Sequence, residues 1–367
     1  MRKRTIALLV VATLSCMPLA NAAKPVGGTK APSYTGRNLG VLPGDTYSYG
    51  SGVSAIGSVV GWSGYSTPAG AVTHPFYWDR STGVMRQLST SGATSEGSGH
   101  AFAIAGQTKV SEYAVGAEDL PSTFQRAVIW VDPSSQAVPI VLDSGAEAGS
   151  VARGVNEVGT AVGMWGDMTA IWEHDGFHHY TMTTIDIFLD QPEEARDINN
   201  EGIVVGFGHN SNYTEFSAFL RVGDEVVALL PAGTDPYATA RAVSDNFATS
   251  AGRFVYVAGS TMDANGVERA VRWTVDVDTR LVSETKVLAK EWSSGVNTAG
   301  DVACTNAPAG RQSASLWRNE VFIALKPPKG MTDAASLDLT RTASSPTYVA
   351  GTASNSSTMR AVTWEVR

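Results

Sequence analysis

Apolar and polar positions in this chain alternate in short runs with no helical period, and the runs recur. Val155-Asn156-Glu157-Val158-Gly159-Thr160-Ala161-Val162-Gly163 returns as Ile198-Asn199-Asn200-Glu201-Gly202-Ile203-Val204-Val205-Gly206. Altered copies are Val296 to Cys304 and Val53 to Gly61. Each copy reads as a strand end, an Asn-x-x-Gly reversal and a Val-rich strand. The turn glycine supplies the left-handed backbone that a short hairpin needs. The segments end at Gly61, Gly116, Gly163, Gly206, Gly259, Cys304 and Gly351, spaced 43 to 55 residues apart. A second marker follows 9 to 17 residues later: Trp78, Trp130, Trp172, Leu220, Trp273, Trp317 and Trp364. Repeats of this length predict a propeller or solenoid.

Each unit reads as four strands. The first is rich in small residues, as in Ser150–Val155, which suits a crowded innermost position. The second is the Val-rich run, the third carries Ala-x-x-Trp, and the fourth is a short apolar strand such as Val138–Leu142. The last unit stops after its third strand, while Asn38–Leu42 forms an orphan strand ahead of the first unit. Pairing the two completes seven blades and removes an open edge, which a solenoid would not require. The expected fold is therefore all-β, a seven-bladed β-propeller of four-stranded blades. Residues 38–367 form one domain, with blades near 43–92, 93–143, 144–183, 184–230, 231–288, 289–327 and 328–367. Residues 23–37 read as an N-terminal extension. The least regular first hairpins belong to blades two and five.

Residues 1–22 read as a signal peptide, with Arg2, Lys3 and Arg4 before an apolar run and Ala20-Asn21-Ala22 at the cleavage site. The expected location is periplasmic or extracellular. No later stretch approaches the ~18 apolar residues of a membrane span. The chain carries 27 basic and 35 acidic residues, and removing the signal's three basic residues takes the net charge from −8 to −11. Such a surface repels nucleic acid and anionic membranes. Only Cys304 survives cleavage, so packing must hold the fold without an internal disulfide.

Asn38-Leu39-Gly40-Val41-Leu42-Pro43-Gly44-Asp45-Thr46-Tyr47-Ser48-Tyr49, with Gly57-Ser58-Val59-Val60-Gly61-Trp62-Ser63, resembles a unit of the HAF-repeat family of extracellular bacterial proteins. His74-Pro75-Phe76 stands where that family has His-Ala-Phe, whereas the other units mostly have Ala-x-x-Trp. The literal His100-Ala101-Phe102 falls in a first strand and is read as coincidence. The resemblance is concentrated in 38–78. It implies export and repeated β-units, and it carries over no catalytic residues.

In a propeller, loops from second to third strand and from fourth strand to the next blade share one face. These are the longer loops, so function is expected there, chiefly after Gly61, Gly116, Gly206 and Gly259. They are acidic and aromatic. The candidate ligand-binding residues are Asp45, Tyr47, Trp62, Tyr65, Trp165, Asp167, Asp186, His209, Tyr213, Asp235, Tyr237 and Trp292. Aromatic rings stack on sugar faces while carboxylates accept hydroxyl hydrogen bonds. Acidic loops also serve solubility alone, and the six repeat-marker Trp residues are expected to pack between blades. Glu173 to Tyr180 is rich in His but runs along an outer strand, where His178 and His179 face opposite ways, so no metal is expected. No nucleophile elbow, metalloprotease motif or phosphate loop occurs, and no cofactor is implied. The leading expectation is a non-catalytic binding or interaction platform for carbohydrate or protein. The alternative is a glycoside hydrolase or polysaccharide lyase using funnel carboxylates such as Asp45, Asp167, Asp186 and Asp235.

Overall fold

A computed structural model describes residues 33–367 except 93–97, 122–123, 136–137, 144–148, 177–178, 188–192, 210–215, 234, 290–291 and 308–309. The predicted signal and most of the extension after it lie outside these residues. Seven antiparallel sheets follow one another along the chain. Their innermost strands are Tyr47–Val53, Gly99–Ala105, Ser150–Val155, Glu193–Ile198, Tyr237–Val243, Trp292–Val296 and Asp333–Leu339. Each inner strand touches the next, and the seventh touches the first, so the blades form a ring. This is a seven-bladed β-propeller. The irregular hairpins also fall where expected: blade two carries a 3-10 turn at Lys109–Ser111, and blade five an extra strand at Phe247–Thr249. Among the described residues no helix is long and apolar enough to cross a membrane.

The seventh sheet consists of Asp333–Leu339, Thr347–Ser354, Met359–Val366 and, outermost, Tyr34–Gly40. Tyr34 lies opposite Val366 and Asn38 opposite Val362. This strand starts earlier than the expected 38–42, because pairing extends back along Thr35, Gly36 and Arg37. It ends at Gly40, whose φ of +87° turns the chain. Leu39 and Leu42 then drop into the apolar cluster of blades seven and one, beside Trp78 and Tyr348. Burying each is worth ~1.5–3 kcal/mol. With an unfolding entropy of about 2.1 cal/mol/K per residue, a chain starting at residue 43 should therefore melt roughly 4–9 °C lower. An unchanged calorimetric midpoint would show that this strand contributes nothing.

The repeated phrase has a double structural task. Asn156 Oδ1 accepts from the Val158 and Thr160 amides, closing the turn that Gly159 enters at φ +84°. Its Nδ2 donates across the blade boundary to the Asn199 carbonyl at 3.1 Å. Asn199 repeats both roles, donating to the Ser244 carbonyl at 3.0 Å. The repeat-marker Trp residues are all buried, and Leu220 takes the same place in blade four. Trp130, Trp273 and Trp364 donate their indole N–H to the carbonyls of Ser89, Leu230 and Lys326, at the end of the preceding blade. Marker and turn thus stitch neighbouring blades together, which is why they recur.

Candidate ligand-binding funnel and groove

Every inner strand carries a one-residue bulge at the same place. The bulged residues are Ser51, Phe102, Arg153, Arg196, Arg241, Ser294 and Leu337. A bulge leaves its residue unpaired and re-aims its side chain. All seven line one chamber of about 310 Å³ on the propeller axis. The next residue along each strand is Gly52, Ala103, Gly154, Asp197, Ala242, Gly295 or Asp338. Small residues dominate because the strands crowd here. A Cβ on Gly154 would lie 2.7 Å from Asp197 Cα, and one on Gly52 2.9 Å from Ala103 Cα.

Arginines occupy the bulge in three successive blades. Glu194 stands between two of them, 2.5 Å from Arg153 Nε and 2.7 Å from an Arg196 guanidinium nitrogen. Arg153 lies over the Phe102 ring at 4.4 Å, and Arg196 over Phe207 at 5.0 Å. Arg241 approaches Glu268 at 3.4 Å. Burial, with the like charges of Arg153 and Arg241, lowers the Arg196 guanidinium to about 10, so it stays cationic at neutral pH.

One side chain spans the axis below the bulged residues: Arg341, from the turn after the first strand of blade seven. It crosses the axis to Asp197 of blade four at 2.7 Å and to the Val155 carbonyl of blade three. Asp197 and Asp338 form the floor, and both clamp a neighbouring strand. Asp197 accepts from the Val243 amide and Asp338 from the Val53 amide, each at 2.9 Å. Burial, reinforced by Asp197, pushes the Asp338 carboxyl up to about 7, against the lowering pull of its backbone hydrogen bonds and Arg341.

Beside the chamber lies an open groove of about 770 Å³, walled by Tyr47, Tyr49 and Trp62 of blade one and by Asn355 and Thr358 from the blade-seven loop. Trp62 belongs to the walls of both. Tyr49 stacks on Trp62 with centroids 5.0 Å apart, and Tyr47 meets Tyr49 edge-on at 6.0 Å. Trp62 in turn meets His100 and Phe102, which stack on each other at 5.8 Å. One aromatic wall therefore runs from groove to arginines.

Of the sequence-predicted residues, Tyr47 and Trp62 stand in this wall. Asp45 lies just beneath, its side chain almost fully buried and bonded to His74 at 3.1 Å, with Tyr65 tilted over that imidazole at 6.1 Å. The Asp45 and His74 of the family-like unit are thus partners in one fold contact. His209 and Tyr237 both approach Phe216, at the boundary of blades four and five. Asp235 is buried and gripped by Arg269. Trp165 packs against the core between blades two and three, and Trp292 is half-buried at the start of blade six. Asp167 and Asp186 are exposed on blade three, and Tyr213 falls outside the described residues. Asp45, Asp167, Asp186 and Asp235 do not line the chamber. Among the described residues, the carboxylates that line it are Asp197 and Asp338 instead.

The three arginines, Phe102 and Arg341 do not figure among those candidates. A signal for the arginines exists: Arg153-Gly154-Val155-Asn156, Arg196-Asp197-Ile198-Asn199 and Arg241-Ala242-Val243-Ser244 place arginine at one fixed offset before the turn. The literal His100-Ala101-Phe102 likewise contributes two rings to the wall.

No family model and no curated protein matches this chain. Among solved structures it is similar to the Dos1 propeller, at 7% identity and a TM-score of 0.49, over 92% of this chain and 94% of that one. A gluconolactonase from Xanthomonas campestris matches at 11% identity and TM-score 0.42, over 94% and 98%. A Trypanosoma rangeli sialidase matches at 7% and 0.45, over 91% and 60%.

Proposed function

We propose that this protein is an exported, non-catalytic binding platform whose ligand is a carbohydrate held on the aromatic groove between blades seven and one. The supporting observation is the Tyr47–Tyr49–Trp62 wall, whose rings border open space and lead into the axial chamber. Stacked rings offer flat apolar area to sugar faces, and the Asn355 and Thr358 side offers polar partners. Export is inferred from the basic start, apolar run and Ala-Asn-Ala of residues 1–22. We also propose kinship with the HAF-repeat exported proteins, on the unit at 38–78.

The test is a polysaccharide and oligosaccharide panel scored for binding and for product formation. Trp62→Ala should weaken binding at least about ten-fold in a variant that circular dichroism shows to be folded, as expected when a contact-centre aromatic is truncated. Unaltered affinity in that variant would end the groove assignment.

One observation favours hydrolysis as a second reading. The floor holds two carboxyls, one of them raised to about 7, as a general acid requires. Both are already committed to strand clamps, which supports the structural role. New reducing ends that vanish in Asp338→Asn would favour the hydrolase.

A further inference from the structure

From the three bulge arginines we infer that the axial chamber binds the carboxylate of an acidic sugar at the end of an oligosaccharide chain, with the following residues lying along the aromatic groove. The inference rests on the carbohydrate reading above and names its ligand class.

The scaffold does not require arginine at the bulge. Blades one and six place serine there, and each serine hydroxyl donates to the next blade's backbone: Ser51 to the Ala101 carbonyl at 2.6 Å, Ser294 to the Ser336 carbonyl at 2.9 Å. Blades two and seven use Phe102 and Leu337. Serine, phenylalanine and leucine therefore all satisfy the fold. Placing three guanidiniums at one level has a cost: burial first, and then the like charges of Arg153 and Arg241, lower the Arg196 guanidinium. Glu194 is shared by two of them and Glu268 meets the third, but neither lines the chamber, whose wall carries Arg153, Arg196, Arg241 and Arg341 against Asp197 and Asp338.

That charge lies inside a molecule of net charge −8. A cationic recess with low-dielectric walls concentrates anions at its mouth. Arginine forks match a planar carboxylate in a bidentate manner. Arg341 spans the axis below the bulge arginines, against Asp197 and the Val155 carbonyl, so a chain entering the chamber meets it end-on. The chamber volume falls at the lower end of small-molecule pockets, roughly 300–1000 Å³. It admits one terminal residue, and the larger groove takes those behind it. The shared Trp62 sets the path between them.

The test uses the whole protein and calorimetric titration with tetragalacturonate, its methyl ester and the neutral cellotetraose. Arg196→Ser and Arg241→Ser install the residue that blades one and six already use, and circular dichroism with a melting curve checks the fold. Tetragalacturonate should bind wild type, with affinity falling as salt rises. Methyl esterification and each serine variant should weaken it about ten- to a hundred-fold, the range for charge-assisted hydrogen bonds. If ester and acid bind equally, or both folded variants hold the acid as wild type does, the acidic-sugar assignment is overturned. In that case Trp62-dependent binding of cellotetraose would leave the groove reading standing. Arginine-dependent binding that ignores Trp62→Ala would support the anion site and remove the groove. Absence of binding by tetragalacturonate overturns the inference outright.

Discussion

Gly163→Val is expected to abolish folding of the propeller or to cost more than about 4 kcal/mol. Gly163 ends the Val-rich strand of blade three and pairs with Ala152 beside the bulge. A Cβ there would stand 1.9 Å from the Val151 carbonyl oxygen. The obstacle is backbone, which no rotamer change can move aside. The equivalent glycines meet the same obstacle: 1.8 Å at Gly61, 1.9 Å at Gly116 and Gly259, 2.0 Å at Gly351 and 2.1 Å at Gly206. Blade six carries Cys304 at this place, opposite Ser293, so that pair alone is set around a Cβ. Gly176→Ala is the control. Its Cβ would meet nothing within 4 Å, and the remaining cost is the positive φ, about 1 kcal/mol. Soluble yield and urea unfolding of the two variants measure the difference. Equal stability would mean that the inner strands separate easily, and the steric account would fail.

Arg341→Met should destabilise the fold by about 3 kcal/mol at pH 8 and by about 1 kcal/mol at pH 5. Methionine keeps most of the volume and removes the cation that, among the described residues, reaches Asp197 across the axis. Asp197 and Asp338 are both pushed up by burial, and Arg341 holds both down. A carboxyl raised in the folded state holds its proton more tightly there than in the unfolded chain. Its favourable contribution is therefore present at low pH and is lost as pH rises through the folded value, about 7 for Asp338. Without Arg341 both values climb further, so the variant's deficit widens above neutrality and shrinks where the carboxyls are protonated. The floor borders an open chamber, and solvent screening keeps the figure below that of a fully enclosed ion pair. Urea titrations at the two pH values give the comparison. The same loss at both would show that Arg341 acts by packing alone.

Much of the scaffold was legible because its determinants are local and repeated. Asn156 closes its own turn with atoms two and four residues away, and Gly159 marks the left-handed position directly. Trp130 and Trp273 recur at one offset because each blade must fill the same wedge against its neighbour. The site was less legible. Tyr47, Tyr49 and Trp62 belong to one hairpin of blade one, but Phe102 and His100 join them only through contacts between blades one and two. The loops suggested an acidic mouth, whereas Asp235 is consumed by Arg269 and Asp45 by His74. Composition counts charges without showing which have partners.

The sequence alone determined the all-β class, the four-strand unit, the sevenfold count and the burial of the Trp markers. Those follow from patterns within about 50 residues, repeated until they are unmistakable. The tertiary structure decided what stands at the axis. Arg153, Arg196 and Arg241 are separated by whole blades in the chain and share a chamber because the ring brings every inner bulge to one centre. Arg341 meets Asp197 across 144 residues for the same reason. Side-chain charge is encoded residue by residue, but whether it is paired, buried or left facing a cavity depends on which strands the closed ring places side by side.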